Sequence, residues 1–241
     1  MSDTYEGLAD EVLLRPVRHG NAFEDTVARL LQTIRLGIVE PGEALPAERE
    51  LAARFSVSRD TVREAIRSLS EAGYLIARRG RYGGTFVSET LPAVADAQDA
   101  VAPTPAEIED VLGLRSILEV GAARAAAARE LGAVDRDLLW TRLKETAAAS
   151  GDDYRRLDSR LHLAIGEVVG IPSLISLLAD NRTRLNCLLD GIPLLPRNID
   201  HSNEQHEAIV VAILTGNPDR AAAAMAEHLE GSAALLRGFL A

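Results

Sequence analysis

The sequence predicts a mainly α-helical protein in two parts: a small helical module that ends in a β-hairpin, then an antiparallel bundle of six or seven helices. Hydrophobic residues make up 47% of the chain but aromatic residues only 4%, and alanine-rich runs are frequent, which favours helices. Glycines and prolines divide the second half into segments of similar length with short connections, as in a bundle. Two adjacent β-prone segments occur only near residue 80.

The chain of 241 residues is long enough for two modest domains. We expect a flexible N-terminal arm over 1–20, a first domain over 21–88, a proline-containing linker over 89–105 and an all-helical domain over 106–241. One cysteine, Cys187, excludes an internal disulfide framework. No signal-peptide pattern and no apolar run of membrane-spanning length is present, so the sequence predicts a cytoplasmic protein.

The net charge of −10 is distributed unevenly between the two domains. Residues 21–88 carry 10 arginines against 9 acidic residues, whereas residues 89–241 carry 14 basic against 23 acidic residues. The acidity therefore belongs to the second domain. A local basic surface in the first domain leaves nucleic-acid binding open.

The first domain begins with apolar residues at helical spacing from Phe23, which predict a helix that ends at Gly37. Two further helices are predicted by "AERELAARF" and "RDTVREAIRSLSEAGYL", joined by the turn "SVS". Ser58 is the expected N-cap of the second of these, Asp60 favours its first turn, and Gly73 ends it. The segments "YLIAR" and "GTFVS" then predict a hairpin around the glycine-rich turn "RGRYGG".

This order of elements matches a winged helix-turn-helix, in which the second helix of the pair enters the DNA major groove. Arg59, Arg63 and Arg67 form a stripe along that helix, and the first two lie closest to its start, where base edges and phosphates are contacted. The alternative is an ordinary solvated face in which the arginines pair with acids such as Asp60. The ordered combination with a basic hairpin favours DNA binding.

The segment "GEALPAERELAARFSVSRDTVREAIRSLSEAGYL", followed by "GRYGGTFV", resembles the winged helix-turn-helix of GntR-family bacterial transcription regulators. The position of Asp60 usually holds a small hydroxyl residue or proline in that family, and an acid here could accept a hydrogen bond from cytosine or buttress Arg63. Base preference is therefore not carried over from relatives. The resemblance implies double-stranded operator DNA as partner and these contact residues: Arg49, Ser58, Arg59, Asp60, Thr61, Arg63, Arg79 and Gly80.

Beyond the linker the periodicity predicts helices only, separated by glycine and proline positions. Six spans are predicted: 106–131, 134–149, 152–170, 172–190, 201–215 and 218–239.

Four residues that can bind a metal, one aspartate and three histidines, occupy inward-facing positions of these helices. Asp158 and His162 are four residues apart on one helical face, and His206 and His228 fall in two later helices. A solvated ion pair and a catalytic acid–base couple are alternatives for Asp158 and His162. Buried imidazoles and a carboxylate need partners, however, and a divalent cation satisfies all four. Zinc is the first expectation, and nickel, manganese or iron also suit three nitrogens and one oxygen.

The segments "VLGLRSILEVGAARAAA", "LDSRLHLAI" and "HSNEQHEAIVVAILTGNPDRAAAAMAEHL" resemble the FCD domain, the effector-binding half of the FadR subfamily. The resemblance implies that Asp158, His162, His206 and His228 bind the metal and that the cation helps to hold a small carboxylate effector. Gln205 stands where relatives often have glutamate.

Arg115 is the first candidate for a clamp on that carboxylate, because a guanidinium fork matches the group. An i,i+4 salt bridge to Glu119 is an equally good interpretation. Asn181 and Arg184 are further candidates, together with their neighbours Arg182 and Asn186, although any of these could simply be exposed.

The sequence therefore predicts a regulator, not an enzyme, and assigns no catalytic residue. We expect a repressor that binds a palindromic operator as a homodimer, without a membrane, and senses a small organic acid. One alternative is a metal-responsive regulator without an organic effector. Another is a metal-dependent hydrolase, which lacks a nucleophile motif and leaves the first domain unexplained.

Overall fold

The computed structural model of the protein describes residues 22–78, 80, 83–92, 103–149 and 151–240. The arm predicted over 1–20 lies outside the described residues. Most of the linker predicted over 89–105 lies outside them as well.

Over its described residues, the first domain consists of three helices and a two-stranded antiparallel sheet. The strands pair from Leu75 with Val87 to Arg78 with Gly84. This confirms the predicted hairpin. The elements are α1 (Ala22–Arg35), α2 (Glu48–Phe55), α3 (Arg59–Glu71), β1 (Leu75–Arg78) and β2 (Gly84–Val87).

The turn between α2 and α3 is built by its serines. Ser56 adopts the left-handed conformation, with φ of 56°, and ends α2. The Ser58 hydroxyl then accepts a hydrogen bond from the backbone N–H of Thr61 at 3.0 Å, which confirms the predicted N-cap of α3. At the other end Gly73, with φ of +83°, lets the chain leave α3 and enter β1.

One face of α3 packs into the core of the first domain, so the opposite face of the helix is exposed to solvent. The buried face consists of Val62, Ala65, Ile66 and Leu69, which share a cluster with Leu51 and Ala52 of α2. Arg59, Arg63 and Arg67 are exposed on the opposite face. The arginine stripe therefore lies on the free surface of the helix.

The second domain consists, within its described residues, of six helices joined by short connections. This agrees with the lower number expected from the sequence. None of the helices in the described parts of the chain is both long enough and apolar enough to cross a membrane. The six are α4 (Pro105–Ala127), α5 (Ala133–Ala147), α6 (Gly151–Val169), α7 (Pro172–Leu189), α8 (Pro196–Leu214) and α9 (Pro218–Leu240).

Two helix boundaries of the bundle differ from those predicted by four residues or more, and the others agree within two residues. Helix α4 ends at Ala127 and not at residue 131, yet Leu131 is buried in the bundle core, so the apolar pattern continues after the helix has ended. Helix α8 begins at Pro196, five residues before the predicted start at residue 201. Proline is favourable at the first helical position, because the N–H that it lacks has no partner there in any helix.

Helix α4 lies at the centre of the bundle, where it packs against α6, α7, α8 and α9. Its buried face is largely alanine and aliphatic, but it also carries Arg115 and Glu119, which are 3% and 2% exposed. These two charges therefore lie in the interior of the domain, at the level of the inward-facing histidines.

The two domains touch through α1 and α7. The side-chain amide of Gln32 donates to Asp180 Oδ1 at 2.9 Å and to Thr183 Oγ1 at 3.0 Å. Beyond α1, Arg142 of α5 donates to a carboxylate oxygen of Glu40 at 2.9 Å. Side-chain contacts thus join the small module to the helical bundle.

Candidate functional site

Three helices of the bundle bring the predicted metal ligands together. Helix α6 supplies Asp158 and His162, α8 supplies His206, and α9 supplies His228. One donor atom from each of the four residues lies within 4.8 Å of the donor atoms of the other three. The three imidazoles are buried, and Asp158 is partly exposed.

The ring nitrogens divide into an inner set and an outer set. His206 Nε2 lies 3.1 Å from Asp158 Oδ1 and 3.3 Å from His162 Nε2, so these atoms converge. On the outer side, His162 Nδ1 lies 2.6 Å from a carboxylate oxygen of Glu119, and His228 Nδ1 lies 3.1 Å from the amide oxygen of Gln205. Such partners fix the tautomer and orientation of a metal-binding histidine.

The donor set fits a divalent ion. Two donor atoms that each lie about 2.1 Å from one ion can be at most about 4.2 Å apart. The donor atoms here lie within 4.8 Å of one another, so the most distant pair would have to approach by at most about 0.6 Å when an ion binds. Three imidazole nitrogens and one carboxylate oxygen are common zinc ligands, and nickel, manganese and iron accept the same set. Asp158, His162, His206 and His228 would hold the ion.

Two buried charged residues beside this cluster support it. Arg182 of α7 is fully buried and donates to Asp158 Oδ2, which leaves Oδ1 directed at the histidines. Its other terminal nitrogen lies 3.4 Å from Glu119 Oε1. The sequence named Glu119 only as a partner for Arg115, and Arg182 only as a pocket candidate. A signal for Glu119 is an acid directly flanked by apolar residues, in the segment "ILEV".

The charges around the cluster keep the donors in the forms that bind metal. Burial raises the pKa of Asp158, but Arg182 and the histidines more than offset this and hold it well below its usual value. Burial likewise acts against ionised Glu119, and Arg115, His162 and Arg182 hold its pKa well below the ordinary range. Burial and the neighbouring histidines hold the pKa of His228 well below its usual value, so its ring is neutral near pH 7.

A pocket of about 80 Å³ adjoins the cluster. Arg115, Asp158, His228 and Ser232 form its polar end, and leucine and isoleucine side chains from the α7–α8 region and α9 line much of the remainder. Tyr154 also lines the pocket, and burial raises the pKa of its hydroxyl, which therefore stays protonated and able to donate.

The three predicted effector residues have different positions. Arg115 has the position that a carboxylate clamp needs, because it lines the pocket. It also forms the salt bridge considered as the alternative, because its Nε donates to Glu119 at 3.2 Å. Asn181 is buried but donates to the backbone carbonyl of Val111 at 3.1 Å, outside the pocket lining. Arg184 is exposed and pairs with an acidic residue of α4. The structure therefore brings only Arg115 beside the metal cluster.

The predicted DNA-contact residues lie mainly around the start of α3. Arg49, Ser58, Arg59 and Asp60 are exposed, and Thr61 is partly buried beside the N-cap. Arg63 is also exposed. Gly80 lies in the hairpin turn with φ of +109°, and Arg79 lies outside the described residues.

Arg63 is held by two acids on this surface. Its Nη1 donates to Asp60 Oδ1 at 2.9 Å and its Nη2 to Glu48 Oε2 at 3.1 Å. The hydrogen bond to Glu48 and the charge of Asp60 raise the pKa of Arg63. The salt-bridge alternative considered for the arginine stripe is thus present at Arg63 in the DNA-free protein.

Comparison with known families identifies both domains. The profile described as "Bacterial regulatory proteins, gntR family" matches residues 23–87, and the FCD domain profile matches residues 110–231. The chain belongs to the GntR family of bacterial regulatory proteins. This GntR-family protein with an FCD domain is a DNA-binding transcription regulator.

Characterised relatives align along most of the GntR-family chain. A putative L-lactate dehydrogenase operon regulatory protein of Escherichia coli is 31% identical over 231 residues, which cover 90% of this chain and 86% of the relative. The HTH-type transcriptional regulator LutR of Bacillus subtilis is 30% identical over 219 residues, which cover 86% of this chain and 97% of LutR. The solved structure of E. coli McbR/YncC shows the same fold, with a TM-score of 0.55 and 19% sequence identity. The match covers 91% of this chain and 98% of the McbR/YncC chain.

Proposed function

We propose that this protein is a repressor of the FadR subfamily that senses a small organic acid at a divalent metal ion and acts in the cytoplasm. As a homodimer it binds a near-palindromic operator, since two copies of the winged module then read two half-sites. The observation that carries the proposal is the convergence of Asp158, His162, His206 and His228 beside a pocket that Arg115 also lines.

The metal supplies a positive centre to which a carboxylate can bind when both are present. Residues of the chain perform the remaining work: Glu119 and Gln205 orient two of the imidazoles, and Arg182 orients Asp158. Arg115 offers its guanidinium at the pocket wall, where a carboxylate can accept from it.

The size of the pocket favours a very small acid. One buried water needs roughly 10–15 Å³ of cavity volume, so a pocket of about 80 Å³ has room for about six waters. An acid with about six non-hydrogen atoms fills the same space. The Escherichia coli relative is named as a putative regulator of an L-lactate dehydrogenase operon. L-lactate, with three carbons, is therefore the first acid to test.

The surface around α3 is the proposed operator-binding surface. We assign base-edge contacts to the first turns of this helix, through Arg59, Asp60 and Arg63. We assign the phosphate backbone to residues around the turn and wing: Arg49, Ser58, Thr61, Arg79 and Gly80.

Helix α7 offers a route from the metal site to the DNA-binding domain. Its buried face places Arg182 on Asp158, and the neighbouring residues Asp180 and Thr183 accept hydrogen bonds from Gln32 of α1. A ligand that shifts Asp158 or Arg182 therefore acts on the same helix that contacts the first domain. Such a shift biases the orientation of the two winged modules and alters operator affinity.

Thermal unfolding of zinc-loaded protein tests this function with L-lactate and a panel of other short carboxylic acids. An acid at 100 times its Kd stabilises the folded state by about 2.7 kcal/mol, which raises the Tm measurably. His206→Ala should lower zinc per chain, measured by elemental analysis, and should abolish the acid-dependent rise. His201→Ala is the matched control, because His201 lies exposed on the same helix and should leave both readouts unchanged.

Three results would contradict the proposal. Equal acid-dependent stabilisation of the His206→Ala variant would show that the acid binds without the metal. An unchanged zinc content would remove His206 from the ligand set. Stabilisation of the wild type by zinc and by no acid in the panel would favour a pure metal sensor.

A further inference from the structure

Two side chains at the start of α3 form a pair that faces solvent. The Asp60 carboxylate is 90% exposed and accepts from Arg63 Nη1 at 2.9 Å. The Arg63 side chain is 55% exposed, and Glu48 of α2 holds its second terminal nitrogen at 3.1 Å. Because each member fixes the other, the guanidinium and the carboxylate occupy defined positions before DNA arrives.

The neighbouring arginines differ from Arg63 in this respect. Within the described part of the chain, neither Arg49 nor Arg59 makes a side-chain hydrogen bond or an ion pair with another residue. Free arginines suit phosphate contacts, whose strength depends on positive charge. An acid bonded to an arginine reduces that attraction, so the Asp60–Arg63 pair is poorly suited to the phosphate backbone.

The same pair matches the edge of a base pair. In the major groove a G·C pair presents two acceptors, guanine O6 and N7, beside one donor, the cytosine amino group. Arg63 supplies donors and Asp60 supplies an acceptor, and the hydrogen bond of 2.9 Å between them places these groups side by side, as guanine O6 and the cytosine amino group lie side by side in one base pair. An A·T pair has one acceptor on each base, so an arginine fork loses one of its two bonds there.

We propose that Asp60 and Arg63 read one G·C pair of each operator half-site as a unit, with Arg63 donating to guanine and Asp60 accepting from the cytosine amino group. Glu48 is the positioning residue that holds the far side of the guanidinium. This inference rests on the proposed function, since it needs α3 to enter the major groove.

The test is selection of binding sites from a random duplex pool by wild type, Asp60→Ala, Asp60→Pro and a control, since neither replacement side chain can accept a hydrogen bond. Glu71→Gln is the control, because Glu71 also accepts from an arginine of α3, Arg67 at 2.9 Å, but at the far end of the helix. Wild type and control should enrich the same operator with an invariant G·C pair in each half-site. Both Asp60 variants should lose preference at that pair by roughly tenfold, measured with operators that carry A·T there.

The Asp60 variants should also bind unrelated duplex DNA more tightly, because a negative charge has left the surface. Circular dichroism of each variant confirms that α3 remains folded. If both Asp60 variants enrich the wild-type sequence with wild-type discrimination at every position, the paired reading is wrong. If the wild type itself enriches no sequence, the proposed operator recognition through α3 is wrong. That result is distinguishable from a loss of preference at a single base pair, which concerns only the paired reading.

Discussion

Arg182 is the residue on which the interior of the second domain depends most directly. It is fully buried and bonds to both Asp158 and Glu119, whose carboxylate oxygens also lie within hydrogen-bond distance of His206 and His162. Together with Arg115 at Glu119, its charge offsets two carboxylates that burial would otherwise force toward the neutral form. One side chain thus helps to keep both a metal ligand and the partner of another ligand ionised.

Replacement of this arginine should destabilise the protein strongly. Arg182→Met leaves Asp158 without its cation and Glu119 with Arg115 alone, so we expect the free energy of unfolding to fall by about 3–5 kcal/mol, measured by urea denaturation. Arg184→Met is the control two positions along, where an exposed ion pair with Asp110 contributes at most about 1 kcal/mol. Equal losses of unfolding free energy in the two variants would mean that the buried ion pairs of Arg182 stabilise the protein no more than an exposed ion pair does.

At the level of residues, the sequence predicts the four ligand candidates but not the residues that orient them. Asp158 and His162 are recognisable because they lie one helical turn apart. The contact between His162 and Glu119 joins α6 to α4, 43 positions apart, and depends on how the two helices pack. No local spacing reveals such a contact.

Helix α7 contacts both domains. Its residues Asn181 and Arg182 point into the bundle, whereas Asp180 and Thr183 meet Gln32 of α1. A rigid helix with both kinds of contact can transmit a small displacement at one face to the other.

Loss of the contact to α1 should weaken this transmission without affecting the ligand. Gln32→Ala removes both hydrogen bonds to α7, so we expect the acid-dependent change in operator Kd to shrink while acid affinity changes only through the lost coupling. Fluorescence anisotropy with labelled operator measures the first quantity, and calorimetry the second. Thr33→Ala is the neighbouring control, since the Thr33 hydroxyl bonds only within α1, to the Arg29 carbonyl. Full coupling in the Gln32→Ala variant would exclude this route.

The elements themselves follow closely from the sequence, apart from their ends. The order of helices and the hairpin are predicted by periodicity and turn residues. The start of α8 is missed, although Pro196 is a residue favourable at the first position of a helix, and it occupies that position here. The end of α4 is missed because Leu131 is buried beyond it, and apolar spacing alone does not distinguish a helix from a packed connection.

For the whole molecule, the division of charge has a functional consequence. The second half is strongly acidic and the first is close to neutral, and three exposed arginines of the first domain lie on α3. Repulsion between DNA and the acidic bundle therefore favours approach through the winged module. A small anion can still enter the bundle beside buried Arg115, which supplies positive charge at the pocket wall.

The central claim is that an acid at the metal centre changes operator affinity, and one titration tests it. The operator Kd is measured for zinc-loaded and chelator-stripped protein, each with and without the acid that stabilises the protein most. We predict that the acid changes Kd by about 5- to 150-fold in the zinc-loaded protein and not in the stripped protein. The same Kd under all four conditions, with the acid bound, would contradict the account.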